Sequence, residues 1–420
     1  QWHMFSTDRS GAETWECVAR SNPQAQTLQA MKGMKTLSSG RNRRKWIYVL
    51  LLMGLLGLSG CGSPSSASVE MSSQTELVKT GSMELQYAEN FAVDYYEDGY
   101  KMLTTLPDSK RYLIVPEGQP VPRGLDEDVS ILQEPLQNIY LVASGVMDMF
   151  ASVDAVDQIR FSGQKQENWY IQTAKDAMAA GDMIYAGKYS KPDYELLVSE
   201  GCDLAIENRM ITHSPEVVEM LQSFGIPVMI EYSSYEQHPL GKVEWVKFFG
   251  ALTGKEAEAE EAFAEQTEIL EKVERGEKTG KTIAFFYVTS NGLIQVRQST
   301  DYIPKLIELA GGRYIFEDLE DSGSGRSTLN MQVEDFYAGA KDADILIYNS
   351  SIDGGVTTLD ELIGKCNILK DFKALQEGQV YCTTNDMYQQ SMAIGYLLQD
   401  MHTVLTDDDT AKLRYLFLLQ

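Results

Sequence analysis

The chain of 420 residues sets 36 Lys and Arg against 61 Asp and Glu, a net charge of −25, with 43% hydrophobic residues. Such acidity argues against nucleic acid as a partner, because that binding rests on Lys and Arg contacts to phosphate. The apolar share is enough for a sizeable core, and the length favours two domains over one.

In chain order, the first informative stretch is Arg41 to Cys61. Arg41, Arg43, Arg44 and Lys45 form a basic head, and Trp46–Leu58 is an apolar run relieved only by Tyr48 and two glycines. A charged head, a short apolar run and small residues at its end describe an export signal. The run is shorter than the roughly 20 apolar residues of a membrane span. Cys61 directly after Leu58-Ser59-Gly60 resembles the bacterial lipobox, where the thiol is acylated before the signal is removed. Residues 1–60 are then a leader and Cys61 the lipidated first residue; the alternative is a plain N-terminal membrane anchor. Met31 and Met34 would each start a signal of normal length, so the residues before Arg41 are set apart from the fold. From Cys61 onward 28 basic residues face 58 acidic ones, a net charge of −30.

Residues 61–82 read as a flexible tether, since Gly62–Thr80 is rich in Ser with Gly, Pro and Thr. An N-terminal lobe is expected over 83–240. Its β-branched and aromatic runs Arg111–Val115, Ile139–Ala143, Asp203–Glu207 and Pro227–Tyr232 are predicted strands. Helical patterns at Asn168–Ala180, Tyr194–Glu200 and Pro215–Phe224 lie between them. A connecting segment follows over 241–279. Trp245, Phe248, Phe249 and Leu252 keep helical spacing up to Gly254, and Thr253 with Glu256 has the form of a capping box. Ala259, Ala262, Phe263, Gln266, Leu270 and Val273 mark one face of the helix beyond it, so the segment is expected to act as a long rigid helical strut. A C-terminal lobe over 280–410 repeats the alternation. Its predicted strands are Thr282–Val288, Leu293–Val296, Asp344–Tyr348 and Gln379–Thr383, and its predicted helices are Tyr302–Ala310, Met331–Ala338, Leu359–Gly364 and Ser391–Leu405. The fold class is therefore α/β: two lobes of mostly parallel sheet flanked by helices, joined by one long rigid helix.

Each lobe carries a short helix leading to an Asp-led strand. Pro192–Leu197 precedes Asp203-Leu204-Ala205-Ile206, and Met331–Phe336 precedes Asp344-Ile345-Leu346-Ile347. Such a unit also recurs in unrelated α/β proteins. After Cys61 only Cys202, Cys366 and Cys382 remain, an odd number with no CxxC spacing, which is no disulfide framework and leaves a single bridge open. His213, His238 and His402 form no HxxxH pair, so no preformed metal site is expected.

Four stretches carry a family resemblance. They are ENFAVDYYEDGYKML (Glu89–Leu103), KPDYELLVSEGCDLAIEN (Lys191–Asn208), HPLGKVEWVKFFGALTGKEAEAE (His238–Glu260) and DYIPKLIELAGGRYIF (Asp301–Phe316). In this order, behind a lipobox, they resemble the TroA-like, helical-backbone solute-binding proteins of bacterial ABC importers, in the class that handles ferric siderophores, haem and cobalamin. Gly201-Cys202 departs from the family, which often has Lys-Pro there. The resemblance implies a monomer, lipid-anchored on the extracytoplasmic face of the cell membrane. It has no intrinsic cofactor and binds a ferric siderophore, haem or a corrinoid in a cleft between the lobes. The partners implied are an ABC permease and its ATPase. Glu195 and Glu334 match the glutamates with which each lobe of such proteins docks on permease arginines; the plainer alternative is two solvated helix carboxylates.

Ligands of open α/β sheets bind beyond the carboxyl ends of the strands. Those positions offer Trp169, Arg209, Tyr232, Tyr235 and Glu236 in the first half, and Arg297, Tyr302, Asn349 and Tyr388 in the second. Arg forks bind carboxylate or catecholate oxygens and aromatic rings stack on flat chelates, although Tyr and Trp equally fill cores. Tyr235 with His238 is a candidate pair for haem iron if both face the cleft. GxSxG, HExxH, the P-loop and a strand-following GxGxxG are all absent, so no enzyme is expected; a surface-anchored enzyme or sensor remains the alternative from a different class.

Overall fold

The computed structural model describes residues 77–320, 327–350, 355–408 and 410–420. The export segment, Cys61 and the tether as far as residue 76 lie outside the described residues.

The described chain begins with a sheet that the hydrophobic pattern only half announces. β1 (Lys79–Ser82), β2 (Phe91–Tyr96), β3 (Lys101–Thr105), β4 (Lys110–Val115) and β5 (Val129–Gln133) lie side by side in that order, antiparallel except for β4 and β5. The β2–β3 hairpin is formed by the Glu89–Leu103 stretch that carries part of the family resemblance, and runs on to Thr105. β1 takes up the last residues of the expected tether; it is polar and mostly exposed, so no alternating apolar face marks it beforehand.

The N-terminal α/β lobe follows. In chain order it contains β6 (Ile139–Leu141), α1 (Val146–Ser152), β7 (Ile159–Ser162), α2 (Gln172–Ala180) and β8 (Ile184–Tyr185). A small ribbon of β9 (Gly187–Lys188) and β10 (Lys191–Pro192) leads into α3 (Tyr194–Ser199), β11 (Leu204–Asn208), α4 (Pro215–Ser223) and β12 (Val228–Glu231). The sheet order is β12-β11-β6-β7-β8, all parallel.

Two helices then join the lobes: α5 (Pro239–Thr253) and α6 (Glu256–Glu274). The joint is therefore two helices rather than the single long one expected, and the break falls at Gly254, where the sequence placed a helix end. Gly254 adopts φ +72, a left-handed C-cap that ends α5. Thr253 donates its hydroxyl back to the Phe249 carbonyl (2.8 Å), so the expected capping box does not form. The helices pack closely because Gly250 has no side chain; a Cβ there would stand 2.5 Å from the Ala259 Cβ. α5 is buried from Pro239 to Leu252 on all sides. Its Trp245, Phe248 and Phe249 cluster with Phe91, each contributing roughly 1.5–3 kcal/mol by burial. A buried carboxylate fixes the loop before β2 onto α5, since Glu244 accepts the backbone N–H groups of Gln86, Tyr87 and Ala88.

The C-terminal lobe contains β13 (Thr282–Val288), β14 (Ile294–Arg297), α7 (Tyr302–Leu309), β15 (Arg313–Tyr314), β16 (Thr328–Met331) and α8 (Val333–Ala340). β17 (Ile345–Tyr348), α9 (Leu359–Lys365), α10 (Lys373–Gln376), β18 (Val380–Thr383), α11 (Ile394–Thr406) and β19 (Leu416–Leu418) complete it. Its order is β16-β14-β13-β17-β18-β19, with β15 also beside β13. The centre is parallel, whereas β14, β16 and β19 run antiparallel.

The repeated Asp has the same task in both lobes. Asp203 Oδ2, ahead of β11, accepts the N–H groups of Gln137 and Asn138 just before β6. Asp344 Oδ2, ahead of β17, accepts the N–H and hydroxyl of Thr282 at the start of β13. In each lobe one carboxylate thus ties the start of one central strand to that of its neighbour. The lobes also share one apolar core: α1, α5, α6, α7 and α11 pack between the facing sides of the sheets. Cys202, Cys366 and Cys382 carry free thiols, which settles the open bridge. Among the described residues no helix is long and apolar enough to cross a membrane.

Candidate ligand-binding site

Three parallel strands of the N-terminal lobe deliver their carboxyl ends to one cavity of ≈ 240 Å³. Behind β6 come Ala143–Gly145, behind β11 Asn208 and Arg209, and at the end of β12 Glu231 and Tyr235. α5 contributes Lys242 and the C-terminal lobe contributes Tyr388, so the cavity lies between the lobes where α/β sheets bind ligands. A larger cavity of ≈ 570 Å³, with Glu117, Glu134 and Asp157 in its wall, opens before β6 and β7, at the wrong ends of those strands.

The expected residues separate into three groups. Arg209 and Tyr235 meet at the mouth of the cavity, the guanidinium 4.6 Å over the ring. Arg297, Tyr302 and Tyr388 meet on the opposite side. Arg297 Nη2 donates to the Tyr388 hydroxyl, which also accepts from Asn349 Nδ2 (2.7 Å). Arg297 Nη1 approaches Asp301 Oδ2 at 3.4 Å. Burial alone would lower the pKa of Arg297, but Tyr388 and Asp301 outweigh it and the guanidinium is held more firmly charged than usual. Tyr302 lies buried beneath Lys242, whose ammonium is 4.8 Å from the ring centre.

Trp169 and Tyr232 lie in the core. Trp169 is 1% exposed in the shared core, with its indole N–H on Ser162 Oγ (3.1 Å). Tyr232 is 7% exposed in the same core, where burial first and then Asp108 push its pKa up to about 12. Both rings fill core rather than line the cavity. Glu236 is likewise structural, accepting from the Glu89 and Asn90 N–H groups and from the Trp245 indole. The Tyr235–His238 pair does not assemble. His238 stacks on Tyr87 (4.4 Å) in a separate cavity of ≈ 340 Å³, its Nδ1 accepting the Leu240 N–H, while Tyr235 faces the other cavity.

Sequence reasoning missed the charged groups that surround the cavity. Glu231 Oε2 accepts from the backbone and hydroxyl of Ser233 (2.8 and 2.6 Å), and burial raises its pKa despite those bonds. Asp148 of α1 accepts the Met392 N–H (2.7 Å) across the lobe boundary, and burial pushes its pKa up to about 6. Gln389 fastens the same boundary by bonds to the Asn168 carbonyl and the Tyr170 N–H (both 2.8 Å). The one available signal was Lys242, a lysine inside the apolar run of α5.

Glu195 and Glu334 are both exposed, each in the first turn of its helix, α3 and α8. Neither forms an ion pair among the described residues.

No protein-family model matches the chain. An uncharacterised lipoprotein of Methanocaldococcus jannaschii is 24% identical over 394 residues, covering 86% of this chain and 92% of the relative. A second uncharacterised lipoprotein of that organism is 23% identical over 367 residues, covering 82% and 90%. Among solved structures, a possible iron-binding, periplasmic solute-binding protein of Staphylococcus epidermidis matches with TM-score 0.50 at 17% identity, over 64% of this chain and 98% of that one. A periplasmic haem-binding protein of Vibrio cholerae matches with TM-score 0.51 at 15% identity, with the same coverage. A TroA-like periplasmic binding protein of Veillonella parvula matches with TM-score 0.50 at 14% identity, over 68% and 96%. All three solved structures are named as periplasmic binding proteins. The chain has the fold of the TroA-like periplasmic solute-binding proteins.

Proposed function

We propose that the chain is a lipid-anchored, extracytoplasmic binding protein that captures an iron–siderophore-like complex and delivers it to an ABC permease with its ATPase. The observation that carries this is the cavity between two α/β lobes at the carboxyl ends of their strands, with cations and phenols in its walls. A site of this kind binds and releases without chemistry, because its polar groups orient a guest rather than activate a nucleophile. The solved structures of this fold include proteins named for iron and haem, which supports haem as the alternative cargo, beside the corrinoid that the sequence resemblance implies.

Two relatives named lipoproteins support Cys61 as the lipidated residue and the extracytoplasmic face of the cell membrane as the location. Glu195 and Glu334 serve as docking points. One unpaired carboxylate on each lobe fixes the orientation of the protein on a basic permease surface, while exposed pairs add little affinity and so permit release. The test is a thermal-shift screen of the full-length, detergent-solubilised protein against ferric siderophores, haemin and cobalamin. A ligand of the folded state alone, present at a hundred times its Kd, stabilises it by about 2.7 kcal/mol. Absence of any shift across the panel sinks the reading.

A further inference from the structure

We propose that Lys242 is the anion anchor of this site, pairing its ammonium with a carboxylate- or catecholate-type oxygen of the bound molecule. The inference rests on the binding-protein reading and specifies the chemistry of the cargo. Lys242 is 4% exposed and lines the cavity between the lobes. Among the described residues its ammonium makes no hydrogen bond and no ion pair, and its one close partner is the Tyr302 ring. A buried cation without an acceptor is strongly unfavourable. Its position adds to the burden, because Lys242 sits in the first turn of the 15-residue α5, next to the positive end of the helix dipole. Burial lowers its pKa accordingly.

The surrounding carboxylates Glu231, Asp301 and Asp148 offset that burial only in part, acting through space without a hydrogen bond or ion pair to the ammonium. Glu231 is engaged by Ser233, Asp148 by the Met392 N–H, and Asp301 by Arg297 and the Ile303 N–H. Three acids stand near the amine and each is bonded elsewhere. The acceptor that Lys242 lacks within the chain is therefore supplied from outside, and α5 offers its helix N-terminus to the same negative charge. A cavity of ≈ 240 Å³ lies below the usual span of drug-sized pockets, about 300–1,000 Å³, so it takes one acidic arm of a larger cargo.

Catecholate oxygens and haem propionates share this chemistry, and the experiment separates them. The full-length protein in detergent, with Lys242→Met and Lys242→Arg variants, is titrated by fluorescence quenching with an anionic ferric tricatecholate, haemin and an uncharged ferric trihydroxamate. Lys242→Met is expected to weaken binding of the anionic probe by at least about tenfold and change the uncharged probe by less than about twofold. Lys242→Arg retains most of the anionic binding, and the ligand-free melting temperature of Lys242→Met stays level or rises because a buried charge has gone. The inference is overturned if Lys242→Met binds the anionic probe as the wild type does. It is also overturned if that variant loses both probes while melting lower, which marks a structural lysine. Wild-type protein that binds only the uncharged probe defeats this inference and leaves the proposed function standing; wild-type protein that binds none defeats both.

Discussion

Two buried ionisable groups, Arg297 in the C-terminal lobe and Glu207 in the N-terminal lobe, are handled in opposite ways. In the C-terminal lobe Arg297 is enclosed with Asp301, Tyr388 and Asn349, and donor meets acceptor throughout. In the N-terminal lobe Glu207 on β11 is 0% exposed, and among the described residues neither carboxylate oxygen has a hydrogen-bond partner. Burial alone pushes its pKa up to about 8. A paired charge locks its lobe and is harmful to break, whereas an orphan weakens its lobe and is harmful to keep.

The largest test of that contrast is Arg297→Met. It strands Asp301, whose side chain is 2% exposed, and is expected to lower stability by about 3–5 kcal/mol in urea unfolding. A loss below about 1 kcal/mol would mean that the pair is not a lock.

Glu207→Leu should act with the opposite sign. The folded pKa of Glu207 lies above its unfolded value, so its share of stability is full below the unfolded pKa and is lost as pH rises toward and through about 8. At pH 8 the variant should be more stable than wild type by on the order of 4 kcal/mol, with the gap narrowing by pH 4. Equal stabilities at both pH values would show that Glu207 is solvated or paired.

Tyr388→Phe removes the acceptor shared by Arg297 and Asn349 and is expected to cost about 1–2 kcal/mol, read from the melting temperature. The smallest effect belongs to charge reversal of Glu195 and Glu334 together. Stability should move by less than about 0.5 kcal/mol and ligand affinity not at all, while uptake by the assembled importer is lost. Normal uptake would reduce both glutamates to ordinary surface.

The secondary structure was legible because strand and helix periods are local. Thr282–Val288 reads as a buried strand from its own seven residues, and Pro215 followed by an amphipathic turn reads as a helix start. The break between α5 and α6 was half legible. Gly254 marked a stop, but whether a second helix continues or folds back depends on Gly250 meeting Ala259. The candidate site was legible by position rather than by role. Arg209 with Tyr235 and Arg297 with Tyr388 come together, whereas Trp169 and Tyr232 occupy equivalent places after strands and turn into core.

The sequence by itself determined the α/β class, the order of the lobes and the strand ends that carry the candidate site, because apolar periodicity acts over neighbouring residues. Only the tertiary structure decided which charges are satisfied. Partners such as Asp148 and Met392, or Asn168 and Gln389, stand more than two hundred residues apart, and burial raises the energy of an unpaired charge only once both lobes have closed over it.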